Sequence, residues 1–209
     1  MKLPYKRALV LAPHTDDGEF GCGGTIARLV REGCAVRYVA FSDCKESVPA
    51  GFPLDILSKE MKAATAILGL TDVHLLDYKV RYFDTERQRI LEDLIKIKRE
   101  YQPDVVFTPC TTDFHQDHST ISNESIRAFK DITILGYELP WNNLTLPSTS
   151  IIKLTDEDVE KKIEAIAQYK SQLGRAYSSS EFLRAQALTR GTRIRAPYAE
   201  AYEMIRFIL

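Results

Sequence analysis

The chain reads as an α/β fold: one domain on a mostly parallel sheet with helices on both faces. Three observations predict it. Short apolar, β-branched runs alternate with longer helical stretches through the first two thirds of the sequence, which is the pattern of βαβ units. The 209 residues lie close to the ~100–200 expected of one domain. No internal repeat, low-complexity tract or Pro/Ser-rich linker divides them.

Taken in order, Arg7–Ala12 is a buried strand. Residues 24–33 form the helix after it, with Thr25, Ile26, Leu29 and Val30 as its stripe and Gly33 as its stop. Residues 36–41 are a second strand. Residues 58–68 are a helix with Ser58 as N-cap and Gly69 past its end. Residues 73–76 are a short third strand, in which His74 is a structural residue. Residues 85–101 place apolar side chains at 90, 91, 94, 95 and 97, a helical stripe that Pro103 closes. A strand at 104–108, a helix at 120–130 and a strand at 132–135 complete a βαβ core over residues 1–135. The pattern then changes. A loop rich in Pro and Asn (140–147) leads to a strand at 150–154 and a helix starting at the Thr155-Asp-Glu-Asp158 cap. A helix near 181–188 and a final segment from Tyr198 follow. Residues 136–209 are read as a C-terminal elaboration, so that 1–209 is one domain.

Composition excludes several classes. With 28 basic and 29 acidic side chains the net charge is −1, so no broad positive field exists to hold a nucleic-acid backbone. No apolar run approaches the ~18 residues of a membrane span. The apolar stretch at 8–12 behind the basic start is too short for the core of a signal peptide. Four cysteines (Cys22, Cys34, Cys44, Cys110) without a C-x-x-C pair do not make a disulfide framework. The expectation is a cytoplasmic protein. Self-association is common among enzymes of this size, but no heptad specifies a homo-oligomer.

Three of the four histidines sit in two polar clusters. One, Ala12-Pro-His-Thr-Asp-Asp-Gly-Glu19, follows the first strand. The other, Asp113-Phe-His-Gln-Asp-His118, follows the fourth. In a doubly wound sheet ordered 3-2-1-4-5, strands one and four are neighbours at the reversal point, and the loops at their carboxyl ends open into one crevice. His14 and Asp17 are spaced i, i+3, as are His115 and His118. Asp16 points elsewhere and is free for another task. Histidines and carboxylates without thiolate suit an open Zn²⁺ site, with Fe²⁺ or another divalent ion as the variant. Either cluster alone is an ordinary turn or a chance His-x-x-His; together, at strand ends, they are a site.

The stretch Gly21-Cys-Gly-Gly-Thr25 does not complete a G-x-G-x-x-G fingerprint, because position 26 is Ile. Its glycines are expected to let the first helix approach the sheet closely. Cys22 is expected to be a small packed residue. Trp141, Tyr137 and Tyr82 are each either stacking surfaces for a ligand ring or core. Arg184, Arg190, Arg193 and Arg195 are read as a solvated face.

His14-Thr-Asp-Asp-Gly-Glu-Phe-Gly-Cys-Gly-Gly-Thr25 resembles the first motif of the PIG-L/LmbE-like zinc-dependent de-N-acetylases, and His115-Gln-Asp-His118 resembles their second. Weaker echoes are Pro103-Asp-Val-Val-Phe107, Lys170-Ser-Gln172 and Tyr198-Ala-Glu-Ala-Tyr202. The resemblance implies a Rossmann-like domain with zinc held by His14, Asp17 and His118. It further implies Asp16 as general base, His115 as oxyanion stabiliser or proton donor, and Asp117 as the residue that orients His115. The substrate implied is an N-acetylglucosamine-type group in a larger conjugate, from which metal-activated water removes acetate. Two departures stand out. Thr15 replaces the usual Pro, and Leu57-Ser-Lys-Glu60 keeps only the Glu of an Arg-x-x-Glu pair whose Arg contacts substrate. Arg81 or Lys59 is expected to substitute. The rival readings are a non-catalytic sugar- or metal-binding module and a nucleotide-dependent transferase on the same fold.

Overall fold

A computed structural model describes residues 2–145, 147–172 and 174–208; of the 1–209 span expected for the domain, residues 1, 146, 173 and 209 lie outside the described residues. Seven strands form one sheet in the order β3-β2-β1-β4-β5-β7-β6. They are β1 (Arg7–Ala12), β2 (Ala35–Ala40), β3 (Asp72–Leu75), β4 (Val105–Pro109), β5 (Thr133–Tyr137), β6 (Ser148–Leu154) and β7 (Tyr198–Arg206). β1 to β5 pair in parallel. β7 runs antiparallel between β5 and β6. The final segment thus inserts as a strand and joins the C-terminal elaboration to the same sheet.

The helices are α1 (Asp17–Arg31), α2 (Ile56–Ile67), α3 (Arg87–Tyr101), α4 (Gln116–Ala128), α5 (Asp156–Ile166) and α6 (Ser180–Thr192). Strand alternation divides the core in two. Ala8, Val10 and Ala12 face α1, α2, α5 and α6 with Ile26, Met61 and Val159. Leu9 and Leu11 face α3 and α4 with Leu94 and Ile121. A sheet buried on both faces is why β1 and β4 read as continuous apolar runs.

Several boundaries differ from the sequence reading. α2 starts at Ile56, and Ser58 is no cap: its Oγ donates to the Asp55 carbonyl. A 3₁₀ turn at Phe83–Glu86 takes the first residues assigned to α3. α4 begins at Gln116, inside the second polar cluster, capped by the His115 ring. The Thr155–Asp158 capping box is present at α5.

The largest difference is α1, which starts at Asp17 instead of Gly24 and bends at Cys22 (φ −145°, ψ 23°). Glycine is a poor helix former, but contact decides here. A Cβ on Gly21 would stand 2.2 Å from the Tyr137 ring, and one on Gly18 would stand 2.4 Å from that of Tyr38. The bend frees backbone groups on both sides. The Glu200 carboxylate of β7 accepts from the Gly24 and Thr25 amides at 3.1 and 2.7 Å. Lys162 of α5 donates to the Phe20 carbonyl at 2.6 Å and to Glu200 at 2.8 Å. Lys162 and Glu200 are 5% and 6% exposed, so each needs the other. Lys162→Met should strand the Glu200 charge and lower stability by about 3–5 kcal/mol, read as a lower urea midpoint.

Candidate active site

The loop after β1 and the start of α4 meet at the carboxyl ends of β1 and β4, as the strand order requires. Asp17 Oδ2 lies 3.0 Å from His14 Nδ1 and 3.2 Å from His118 Nε2, and these two nitrogens are 3.1 Å apart. Each ring is anchored from behind. His14 Nε2 is 3.0 Å from Asp117 Oδ2, and His118 Nδ1 is 2.8 Å from Asp113 Oδ2. The other nitrogen of each imidazole therefore faces Asp17.

Ligands bound tetrahedrally at ~2.0–2.2 Å stand about 3.3–3.6 Å from each other, a little wider than the observed triangle. Carboxylates behind ligating imidazoles are the usual outer partners of a metal site. The donor set and its backing therefore fit a divalent ion. His14, His115 and His118 can also bring ring nitrogens within 4.8 Å of one another. The triangle through Asp17 is tighter, and His115 stands at its edge.

Burial and charge pull against each other here. Burial is the largest single influence on His14 and His118 and works to lower their pKa, but Asp17 together with Asp117 for His14, and together with Asp113 for His118, outweighs it. They rise to about 8 and about 10. Burial works to raise Asp17, yet the charges of His118 and His14 hold it well below the ordinary carboxylate value. Burial, then the Asp17 charge, push Asp16 up to about 6. Asp16 is the N-cap residue of α1, makes no side-chain capping bond and lines the pocket.

The structure corrects the expected role of Asp117. Its carboxylate is not on His115. It takes His14, the Arg81 amide at 2.7 Å and the Phe83 amide at 3.4 Å. Its own backbone amide donates to His115 Nδ1 at 3.2 Å. A neutral His115 with Nδ1 accepting carries its proton on Nε2. Burial and the neighbouring His118 and His14 charges lower its pKa, which agrees with that neutral form.

Behind the first loop, the Thr15 carbonyl accepts from Tyr169 Oη at 2.7 Å and lies 3.2 Å from Tyr38 Oη. Both hydroxyls also meet the buried Glu19 carboxyl, which burial pushes up to about 8 against the pull of those contacts. Thr15 is thus fixed by the tyrosines where the resembling motif has Pro. Cys22 is a buried packing residue whose thiol meets the Gly18 carbonyl.

The pocket in front of the triangle has a volume of about 270 Å³. Trp141 lines it, stacked on Tyr177 at 3.9 Å and 17°, with Phe20 edge-on to both. Of the other candidate stacking rings, Tyr137 is core, with its hydroxyl on the Leu11 carbonyl. Tyr82 lies under Lys79 and is outside the pocket wall. Arg81 lines the pocket, whereas Lys59 is exposed on Asp55. Arg81 has φ +72°, a backbone state that costs a non-glycine residue about 1–3 kcal/mol; the bond from its amide to Asp117 holds it there. Arg184 and Arg190 are paired with carboxylates, and His74 is exposed on edge strand β3 beside Asp72.

Sequence reasoning missed Asp113, Gln172, Arg175 and Tyr177. Asp113 stood inside the quoted cluster, five residues before His118, but a carboxylate in a turn carries no sign of its partner. Glu60, kept from the Arg-x-x-Glu pair, accepts from the Ser171 amide and hydroxyl at 2.9 and 2.5 Å. It thereby fixes the Lys170–Gln172 turn against the pocket.

Residues 9–129 match the PIG-L family, described as GlcNAc-PI de-N-acetylase. The chain belongs to this family. The uncharacterized deacetylase YaiS of Escherichia coli K12 is 29% identical over 177 residues, 79% of this chain and 91% of that one. A probable N-acetyl-alpha-D-glucosaminyl L-malate deacetylase 2 of Bacillus cereus is 27% identical over 140 residues, 59% of this chain and 60% of its own length. The structure of N,N'-diacetylchitobiose deacetylase from Pyrococcus horikoshii superposes with TM-score 0.79 at 28% identity, over 96% of this chain and 84% of that one. The architecture alone does not decide the chemistry. At 21% identity, TM-score 0.76 and 98% coverage of both chains it also matches GalB, the 4-carboxy-2-hydroxymuconate hydratase of Pseudomonas putida KT2440.

Asp117→Ala should leave the Arg81 amide and His14 Nε2 without their acceptor. At about 1–3 kcal/mol for each stranded group, metal-free protein should show a clearly lower urea midpoint, and Asp117→Asn a smaller loss.

Proposed function

We propose that the protein is a zinc-dependent amidohydrolase that removes the acetyl group from an N-acetylated amino sugar. The carrying observation is the arrangement of His14 and His118, each held from behind by a carboxylate and turned toward one oxygen of Asp17, with the unengaged Asp16 carboxylate beside them. Family membership and the deacetylase relatives support the same reaction class. A binding module would need the three ligands but no free base beside them, and Asp16 supplies that base.

His14, Asp17 and His118 would hold the ion, and zinc bound there supplies a water of lowered pKa (towards ~7) and a polarised carbonyl oxygen. Asp16 takes a proton from the attacking water as its oxygen closes on the amide carbon. His115 donates its Nε2–H to the carbonyl oxygen as negative charge develops, an interaction worth about 3–4 kcal/mol in sites of this type. With Nδ1 already occupied by the Asp117 amide, the neutral ring performs this task without a second proton. The proton for the departing nitrogen then comes from Asp16, which has just received one. The C–N bond breaks, leaving acetate and a free amine. Trp141 and Tyr177 offer a flat apolar surface for a sugar ring.

Asp16→Ala should keep the metal and lose about 10²–10⁴ in kcat, whereas Asp17→Ala should lose the metal. Metal analysis of the purified variants separates the roles, and a full zinc complement in Asp17→Ala would refute the ligand assignment. Dialysis against a chelator should abolish acetate release from N-acetylglucosaminides, and added zinc should restore it.

A further inference from the structure

The pocket has two apolar surfaces of different shape. One is the flat Trp141–Tyr177 stack. The other is a small wall of Cys44, Leu57 and Val80, which line the pocket at 4%, 1% and 5% exposure. These three side chains are buried, yet they belong to neither half of the core. Strand order sets the two surfaces apart. Cys44, Leu57 and Val80 come from the segments that follow β2 and β3, and Trp141 from the loop after β5. So little exposed surface makes the small wall a closed end, not an open groove.

The small wall begins at the reacting centre. The Thr15 backbone, between His14 and Asp16, stands beside the Cys44 thiol, which burial pushes up to about 12 and so keeps neutral. Val80 precedes Arg81, whose amide donates to Asp117 Oδ2, the oxygen that also holds His14. Backbone strain marks both places. Four non-glycine residues among those described have positive φ, and Cys44 (+54°) and Arg81 (+72°) are two of them. Glycine would adopt this state freely; the cysteine at 44 keeps a side chain in the wall. Strain of this kind gathers at functional sites.

An N-acylated sugar also has two apolar parts, a ring face and the acyl methyl. The ring face fits the flat stack. The methyl is one bond from the carbonyl carbon on which Asp16 and His115 would act, so it has to lie beside the triangle, where the small wall stands. We propose that Cys44, Leu57 and Val80 form the acyl subsite: they bury the methyl of the acetyl group and leave no room for a longer chain. This inference rests on the deacetylase reading above, and its test separates the two.

Binding is measured by calorimetry on the zinc-loaded Asp16→Ala variant, which removes turnover. The probes are methyl glycosides of glucosamine carrying an N-formyl, N-acetyl, N-propionyl or N-butyryl group. Acetyl should bind about fourfold tighter than formyl, the value of one buried methyl. Propionyl and butyryl should bind about tenfold or more weaker than acetyl, because their added methylenes meet closed packing. Adding Val80→Ala or Leu57→Ala should move the optimum to propionyl or butyryl, in protein shown to be folded by its urea transition. Cys44→Ser nearly keeps the volume and covers the case in which a truncated wall does not fold; its hydroxyl should remove the gain of acetyl over formyl. Equal affinity across the series, no binding of any probe, or an optimum that stays at acetyl in the folded truncations overturns the subsite. So does a Cys44→Ser protein that keeps the full acetyl gain. Acetate release from the N-acetyl probe by the wild type is scored separately. Its absence refutes the deacetylase reading, while an acetyl optimum without release leaves the subsite standing.

Discussion

The site depends on placing several carboxylates in one buried crevice. Asp16, Asp17, Asp113 and Asp117 all stand in the segments that run from β1 and β4 into the first turns of α1 and α4, and Asp17, Asp113 and Asp117 are almost wholly buried. Negative groups packed this closely repel each other unless positive charge or donated hydrogen bonds stand between them. The interleaving of His14 and His118 meets that need: each imidazole lies between a backing carboxylate and Asp17. When each ring gives up the proton that faces Asp17, the same interleaving leaves one lone pair on each ring and one Asp17 oxygen converging on a point. Compensation of buried charge and a site for a cation are therefore one arrangement.

That arrangement is only as rigid as the backbone beneath it. Asp16 and Asp17 sit at the start of α1, whose first turns lie against Tyr38 and Tyr137 so closely that glycine is required. Bending at Cys22 lets these turns follow the crevice while the rest of the helix packs along the sheet. The broken backbone is completed by Lys162 and Glu200, contributed by α5 and β7. The C-terminal elaboration is thus part of the active-site frame as well as an extension of the sheet.

Much of this was legible in the sequence. Alternation of strands and helices gave the parallel βαβ class, because local periodicity reports burial on each element, and the order β3-β2-β1-β4-β5 followed from the doubly wound topology of that class. The two histidine clusters were legible because their residue types have few structural uses at strand ends. The start of α1 was not, since four glycines argue against a helix and only the tertiary contact with Tyr38 and Tyr137 reverses that. The antiparallel insertion of β7 between β5 and β6 was not, since pairing order is a long-range property. The side-chain partner of Asp117 is another long-range matter: the family resemblance implied His115, while the carboxylate reaches His14, 103 residues away, and only the backbone amide meets His115. Gln172 stood out only as the end of the weak Lys170-Ser-Gln172 echo, and Arg175 looks like an ordinary polar residue until the pocket is seen around it.

The division of labour follows from this geometry. The atoms that would act on an amide come from the loops after β1 and β4, whose positions are tied to the sheet and to buried carboxylates. The wall that would choose the substrate comes from the turn after α5, tied by Glu60 to Ser171 and by Tyr169 to Thr15 and Glu19, and from the loop before α3, tied by Asp117 to the Arg81 and Phe83 amides. One Asp117 carboxylate touches both systems, since it orients His14 and holds the strained Arg81 backbone. With Tyr169, whose hydroxyl ties the turn after α5 to the Thr15 carbonyl, it is a residue through which a change in recognition would be felt by the chemistry.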